Sequence, residues 1–287
     1  MGSGQCKVNS GLALIDLDRY PVDAPEHPSL VAAVAAARAG LAKEGCARIA
    51  GFIRSDKRAI LARETEDLAP RALHSKDEYT PYGTPPDPAY PADHPRSCTH
   101  RTTSGSVTKD LIPQGSHIQA LYRCEPFKAF IAACMETDTI HEFADPMRGL
   151  IINAMSDGNS LGWHFDANEF VVSLMTKRAT GGGGFDYCPA IRKPGDENYP
   201  AVRAVLQGDR QAVKTLDLQV GDLQIFFGRY SMHQVSTVQG TRHTVIFGFA
   251  REPGFIGNVA STMRVYGRVM QAHIDADADR HDDGLID

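Results

Sequence analysis

GWHFDANEF, residues 162–170, sets a histidine and an aspartate two positions apart in an otherwise apolar, strand-like stretch. Side chains at i and i+2 of a strand leave on the same face, so the His164 imidazole and the Asp166 carboxylate project together. Two donors are an incomplete ligand set for a metal. One more from elsewhere in the chain makes a three-point facial site; without it, the two are a polar pair at a strand edge.

The sequence around this stretch has the texture of a β-protein. GLIINAMS, EFVVSLMT, GGGFDYCPAIR, AVKTLDLQV, GDLQIFFG, HQVSTV and RHTVIFGFA are short β-rich runs separated by glycine or proline. Strands at such spacing predict an antiparallel barrel or two-sheet jelly roll. Upstream, residues 27–53 read as a helix passing into a strand, and 55–73 as a second helix with Ser55 or Asp56 as its cap. Residues 75–98 are a proline-rich irregular connection of the kind that forms lids and binding loops. Residues 115–142 read as helical, and the chain beyond 257 as a helix followed by an acidic, solvated tail. The expectation is one elaborated α+β domain over 1–287. Its parts are a helical region (27–145), a jelly-roll core (149–252) and a C-terminal helix with its tail (257–287).

Composition sets the function classes aside or keeps them. The 287 residues, 42% hydrophobic and 23% charged, suit a globular protein with a substantial core. A net charge of −5 argues against nucleic acid as a partner. A basic leader with a long apolar run, or an 18-residue apolar stretch, is not found, so the expected setting is cytoplasmic with no membrane contact. The six cysteines show no CxxC pair and read as free thiols. Gly181 to Gly184 lack the GK[ST] context of a phosphate loop and read as a turn. Oligomeric state is not readable.

The third donor comes from VGDLQIFFGRYSMHQVSTVQGTRHTVIFGFA, residues 220–250, where His233 opens a strand and Arg242 opens the next. Two histidines and one carboxylate on one face of an octahedron leave the other face open, which suits non-haem Fe(II) oxygenases. Three open positions fit a bidentate 2-oxo acid and O2. The far carboxylate of 2-oxoglutarate needs a buried partner, and the planar guanidinium of Arg242 supplies two parallel hydrogen bonds. Thr244, at i+2, and Asn153, in the strand before the histidine–aspartate run, are placed either to assist it or to line the barrel. His243 is a rival third ligand, but no arginine follows it at a suitable place on the strand. Trp163 reads as packing beside the site.

These linked motifs resemble the Fe(II)/2-oxoglutarate-dependent dioxygenases, whose core is a double-stranded β-helix of the cupin-like, jelly-roll kind. More narrowly, ADPMRGLIINAMSDGNSLGWHFDANEFVVSLM, GGGFDYCPAIR and GDLQIFFGRYSMHQVSTVQGTRH look like the BesD/HalD-like group of amino-acid hydroxylases and halogenases. The resemblance implies His164, Asp166 and His233 as iron ligands, and Arg242, with Thr244 and Asn153, at the cosubstrate. It further implies an enzyme that uses Fe(II), 2-oxoglutarate and O2. Halogenases of the group have glycine where this chain has Asp166, so hydroxylation is the expected outcome. The expected substrate is a small polar molecule, an amino acid or a derivative, with Arg101, Glu169 and Arg229 as candidate contacts. The same site performing desaturation or cyclisation, or a cupin-like binding protein without turnover, are the competing readings.

Overall fold

The computed structural model describes residues 10–74 and 78–278. Two antiparallel sheets carry the fold. In chain order their strands are β1 (Cys46–Ile49), β2 (Leu73–His74), β3 (Gly105–Val107), β4 (Leu150–Met155), β5 (Leu161–His164), β6 (Val171–Lys177), β7 (Phe185–Cys188), β8 (Lys214–Leu216), β9 (Leu223–Phe226), β10 (Met232–Val235) and β11 (Arg242–Phe247). The larger sheet has seven strands in the order β1-β9-β6-β11-β4-β3-β2, and the smaller has four in the order β8-β7-β10-β5. Consecutive strands alternate between the sheets through most of the core, as a jelly roll requires.

Alternation along the larger sheet divides its two faces. Leu150, Ile152, Ala154, Val172, Leu174, Leu223, Ile225, Val245 and Phe247 point outward into the main core cluster. The helices Pro28–Glu44, Ser55–Leu68 and Glu125–Cys134 cover that face with Leu30, Leu41, Leu61, Leu68, Phe127 and Phe130. The other parity carries Asn153, Ser173, Gln224, Arg242 and Thr244, which line a cavity between the two sheets. Burial of the outward face fixes the register, because a one-residue slip would turn the polar set into the apolar core.

Some boundaries differ from the sequence reading. Arg54, not Ser55 or Asp56, is the N-cap of Ser55–Leu68 and makes no side-chain cap bond; Asp56 sits in the first turn, where its charge favours the helix dipole. The 115–142 stretch is two helices, His117–Tyr122 and Glu125–Cys134, followed by a short strand, His141–Glu142. Pro126 explains the break, since it lacks an amide proton and starts a new helix. The helix Tyr199–Leu206 interrupts the smaller sheet. Two helices follow residue 257, Val259–Tyr266 and Gln271–Asp277; the acidic stretch from 279 lies outside the described residues.

The C-terminal helices are tied to the barrel by a buried histidine–aspartate hydrogen bond. His273 Nε2 lies 3.2 Å from Asp145 Oδ2, and both side chains are fully buried. Asp145 also accepts from the amides of Met147 and Arg148 (both 2.7 Å) and Gly257 (2.9 Å). Replacing a buried carboxylate that serves four donors leaves them unpaired. Asp145→Ala is therefore expected to cost about 3–5 kcal/mol in urea unfolding; a loss below about 1 kcal/mol would contradict the pairing.

His243 lies on the outward face of β11, 5% exposed, and burial chiefly, with Lys177 nearby, lowers its pKa from 6.5 to about 4. Between those values the unfolded chain takes up a proton that the folded chain does not, so acidification through this window destabilises the fold. The expected loss is about 1–3 kcal/mol. Urea midpoints at pH 7 and pH 4.5 test it: His243→Gln should lose less stability than wild type, and an equal loss would remove His243 as the cause.

Candidate active site

The smaller sheet brings two histidines together by register. His164 ends β5 and His233 lies in β10, and the two residues are direct cross-strand partners. Their ring centroids are 4.0 Å apart. Each Nδ1 faces a backbone carbonyl two residues earlier: His164 with Gly162 at 2.8 Å, His233 with Ser231 at 3.0 Å. Donation to those carbonyls puts the proton on Nδ1 and leaves each Nε2 with a lone pair.

Asp166 follows directly after β5. Its Oδ1 is 3.8 Å from His164 Nε2 and its Oδ2 is 3.5 Å from His233 Nε2. One donor atom from each of the three residues lies within 4.8 Å of the others. Burial raises the Asp166 pKa and drives the His233 pKa well below its usual value. Three converging donors at distances too long for hydrogen bonds are the set that a divalent cation neutralises. Two imidazoles and one carboxylate are also the donor chemistry suited to Fe(II) with positions left open. The residues fit the metal. His243, on the outward face, is not among them.

Gly228 makes room for this arrangement and was not singled out from sequence. A Cβ there would stand 1.7 Å from Asp166 Oδ2, and the Gly228 carbonyl accepts from the Asp166 amide at 3.1 Å. Arg192, 1% exposed, was also missed. Its guanidinium lies 3.9 Å from the Phe165 ring centroid, between the two ligand positions. It donates from Nε to the Arg229 carbonyl (2.7 Å) and from Nη1 to Glu197 (2.9 Å). Its charge offsets part of the burial effect on Asp166.

The three residues expected at the substrate do not line the cavity. Arg229 instead donates to the Ala167 carbonyl at 2.6 Å, clamping the chain just after Asp166. Glu169 is paired with Arg251 at 2.9 Å. Arg101 is exposed on the strand His100–Arg101, paired with Glu78–Tyr79. Closeness in sequence to a ligand does not give direction, and these backbones turn the side chains elsewhere.

Arg242 is 4% exposed and donates from Nη1 to Thr244 Oγ1 at 2.8 Å, while its Nε has no partner. Burial alone lowers its pKa to about 10. Thr244 is the cross-strand partner of Asn153, which pairs on its other side with Ser106. A buried cation bonded only to a hydroxyl is a site for an anion. It opens on the same cavity, of about 270 Å³, as the His–Asp–His cluster.

The proline-rich connection and the C-terminal segment complete the cavity. Tyr79, Tyr82 and Gly83 come from the first, and Phe255, Ser261, Arg264 and Tyr266 from the second. Tyr82 is fully buried and stacks on Phe165, with ring centroids 5.5 Å apart. The helix expected after residue 257 thus supplies a wall.

Comparison with known proteins is consistent with this geometry. The family described as HalD, halogenase D, matches residues 31–264. A 2OG-Fe(II) oxygenase family oxidoreductase from Burkholderia pseudomallei is similar in fold, with a TM-score of 0.50 at 18% identity, over 77% of this chain and 92% of that one. AviO1 from Streptomyces viridochromogenes gives 0.53 at 17%, over 75% and 94%. A prolyl hydroxylase from Trichoplax adhaerens gives 0.51 at 12%, over 76% and 88%. No protein of curated function matches the sequence.

Gly228→Ala is expected to displace the Asp166 carboxylate and weaken Fe(II) binding about 10–100-fold, whereas His243→Ala should leave it unchanged. Anaerobic Fe(II) titration reads both; an unaltered affinity in Gly228→Ala would contradict the role given to the glycine.

Proposed function

The chain belongs to the HalD, or halogenase D, family, and from that membership we propose that it hydroxylates an unactivated C–H bond of a small polar molecule, an amino acid or a derivative. It is an Fe(II)- and 2-oxoglutarate-dependent oxygenase. The observation that carries hydroxylation, despite the family's name, is Asp166. Its carboxylate converges with His164 and His233 where halogenases of the group have glycine, and so occupies the position a halide would need.

Bound together, the metal, 2-oxoglutarate and O2 supply the oxidising chemistry. The protein's part is to hold and to exclude. His164 and His233 offer Nε2 because backbone carbonyls take their Nδ1 protons. Arg242 and Thr244 receive the far carboxylate of 2-oxoglutarate, with Asn153 beside them. Tyr82, Phe165, Phe185 and Phe226 give the cavity apolar walls that keep bulk water from the reacting bond.

Two measurements test the reading. Anaerobic addition of Fe(II) and 2-oxoglutarate should produce a visible charge-transfer band, weakened at least about tenfold in 2-oxoglutarate affinity by Arg242→Lys. Turnover with a small-molecule library should release succinate and yield a product heavier by one oxygen. A product lighter by two hydrogens would replace hydroxylation with desaturation, and an Asp166→Ala protein that binds iron and turns over normally would end the assignment.

A further inference from the structure

The cavity changes character along its length. β11 presents Arg242, Thr244 and Ile246 to it in turn, and β4 sets Asn153 beside Thr244 and Ile151 beside Ile246. One end therefore holds a buried cation beside a hydroxyl and an amide, and the other begins with two isoleucines. The wall continues in the same sense past the end of β11. Gly248, two residues beyond Ile246, has no side chain, and a Cβ there would stand 2.5 Å from the Phe143 ring. Phe143 takes that place and packs on Phe255, with ring centroids 4.2 Å apart. From the helix Val259–Tyr266, Val265 and Tyr266 join Ile151 and Ile246 in one apolar cluster.

Several of these side chains are incompletely covered. Ile246 lies in the middle of the larger sheet, between β6 and β4, with helices over the opposite face, yet it is half-buried; its remaining surface faces the cavity. Val265 and Phe255 are half-buried too and line the same space. Apolar surface left open in a protein interior gains free energy when an apolar group covers it, in proportion to the area covered. 2-Oxoglutarate, assigned to Arg242 and Thr244 at the opposite end, leaves this surface to the substrate.

The polar groups nearby select against a basic side chain. Arg148 stands at this end, donating from Nη2 to Ser261 Oγ at 2.9 Å and from Nε to Thr262 Oγ1 at 3.2 Å, with its guanidinium 5.5 Å from the Tyr266 ring centroid. Asp166 is the one carboxylate among the described residues that line the cavity, and it is assigned to the metal. A side-chain ammonium placed against Ile246 would lose its water and gain no acid of the wall in exchange. We infer that the substrate carries an uncharged, apolar side chain, seated on Ile151, Ile246, Phe143, Phe255 and Val265. This rests on the reading of the protein as an oxygenase of an amino acid or a derivative, and narrows it to those with a hydrocarbon side chain. Such a side chain is also where an unactivated C–H bond is found.

The test titrates two matched pairs of amino acids anaerobically, by calorimetry, into the full-length protein loaded with Fe(II) and 2-oxoglutarate. Leucine is paired with asparagine, which has the same shape, and norleucine with lysine, which adds an ammonium to the same chain. Leucine and norleucine should each bind at least about tenfold more tightly than their partners. Ile246→Thr and Val265→Thr each put a hydroxyl on the apolar wall and should each cut that preference about threefold or more, with the double variant erasing it. The charge-transfer band with 2-oxoglutarate shows that each variant is folded; should one fail to fold, the wild-type comparison decides by itself. Asparagine binding as tightly as leucine, lysine as tightly as norleucine, a preference retained in the double variant, or no binding of leucine and norleucine up to about 50 mM would overturn the inference. Absence of the band from the wild-type protein would instead overturn the iron reading, so the two failures are distinguishable.

Discussion

A half-buried carboxylate stands beside two imidazole nitrogens and bonds to neither, and the architecture follows from making that tolerable. Left alone, Asp166 would be driven toward its protonated form by burial, and His233 is already held neutral by the same cause. Each surrounding feature fixes these donors in their charged or lone-pair state. Strand register sets the histidines opposite one another, backbone carbonyls choose their tautomer, Gly228 clears the space for Asp166, and the Arg192 charge stands behind Phe165. Site and fold share one solution, since the pairing of β5 with β10 that builds the smaller sheet also sets His164 opposite His233.

The larger sheet solves the complementary problem. β11 carries Arg242 and Thr244 on one face and Val245 and Phe247 on the other, so a single strand presents a buried cation to the cavity and closes the hydrophobic core. Burying a guanidinium is costly without a partner, and Thr244 relieves only part of that cost. The strand's apolar face, packed beneath three helices, holds the cation in place.

The sequence made the core legible because its signals are local. Alternation over GLIINAMS and RHTVIFGFA marks strands, and the i, i+2 spacing of His164 and Asp166 reports a shared direction. His233 and Arg242 could be added because the chemistry of a 2-oxo acid requires a donor and an anchor at such spacing. The rest depends on tertiary direction. Gly228 matters through a contact with a residue distant in sequence, and nothing in FFGRY announces it. Arg229 and Glu169 flank ligand motifs yet turn to brace the chain, Arg229 by donating to the Ala167 carbonyl and Glu169 by pairing with Arg251. The helix after 257 was legible, but its place against the barrel was not, because its attachment relies on a histidine–aspartate pair that spans most of the chain's second half.

The wall of the cavity is borrowed from outside the two sheets. Tyr79, Tyr82 and Gly83 belong to an irregular connection, and Ser261, Arg264 and Tyr266 to a helix added after the last strand of the core. His164, His233 and Arg242 belong to strands whose register cannot change without rebuilding the interior, and Asp166 follows directly after one of them. Inheritance can therefore act on the two parts separately. Substitutions in the connection and the terminal helix can alter which molecule is admitted, generation by generation, while the oxidising centre passes on unaltered. The attachment of His273 to Asp145 keeps that exchangeable wall in a constant position against the constant barrel.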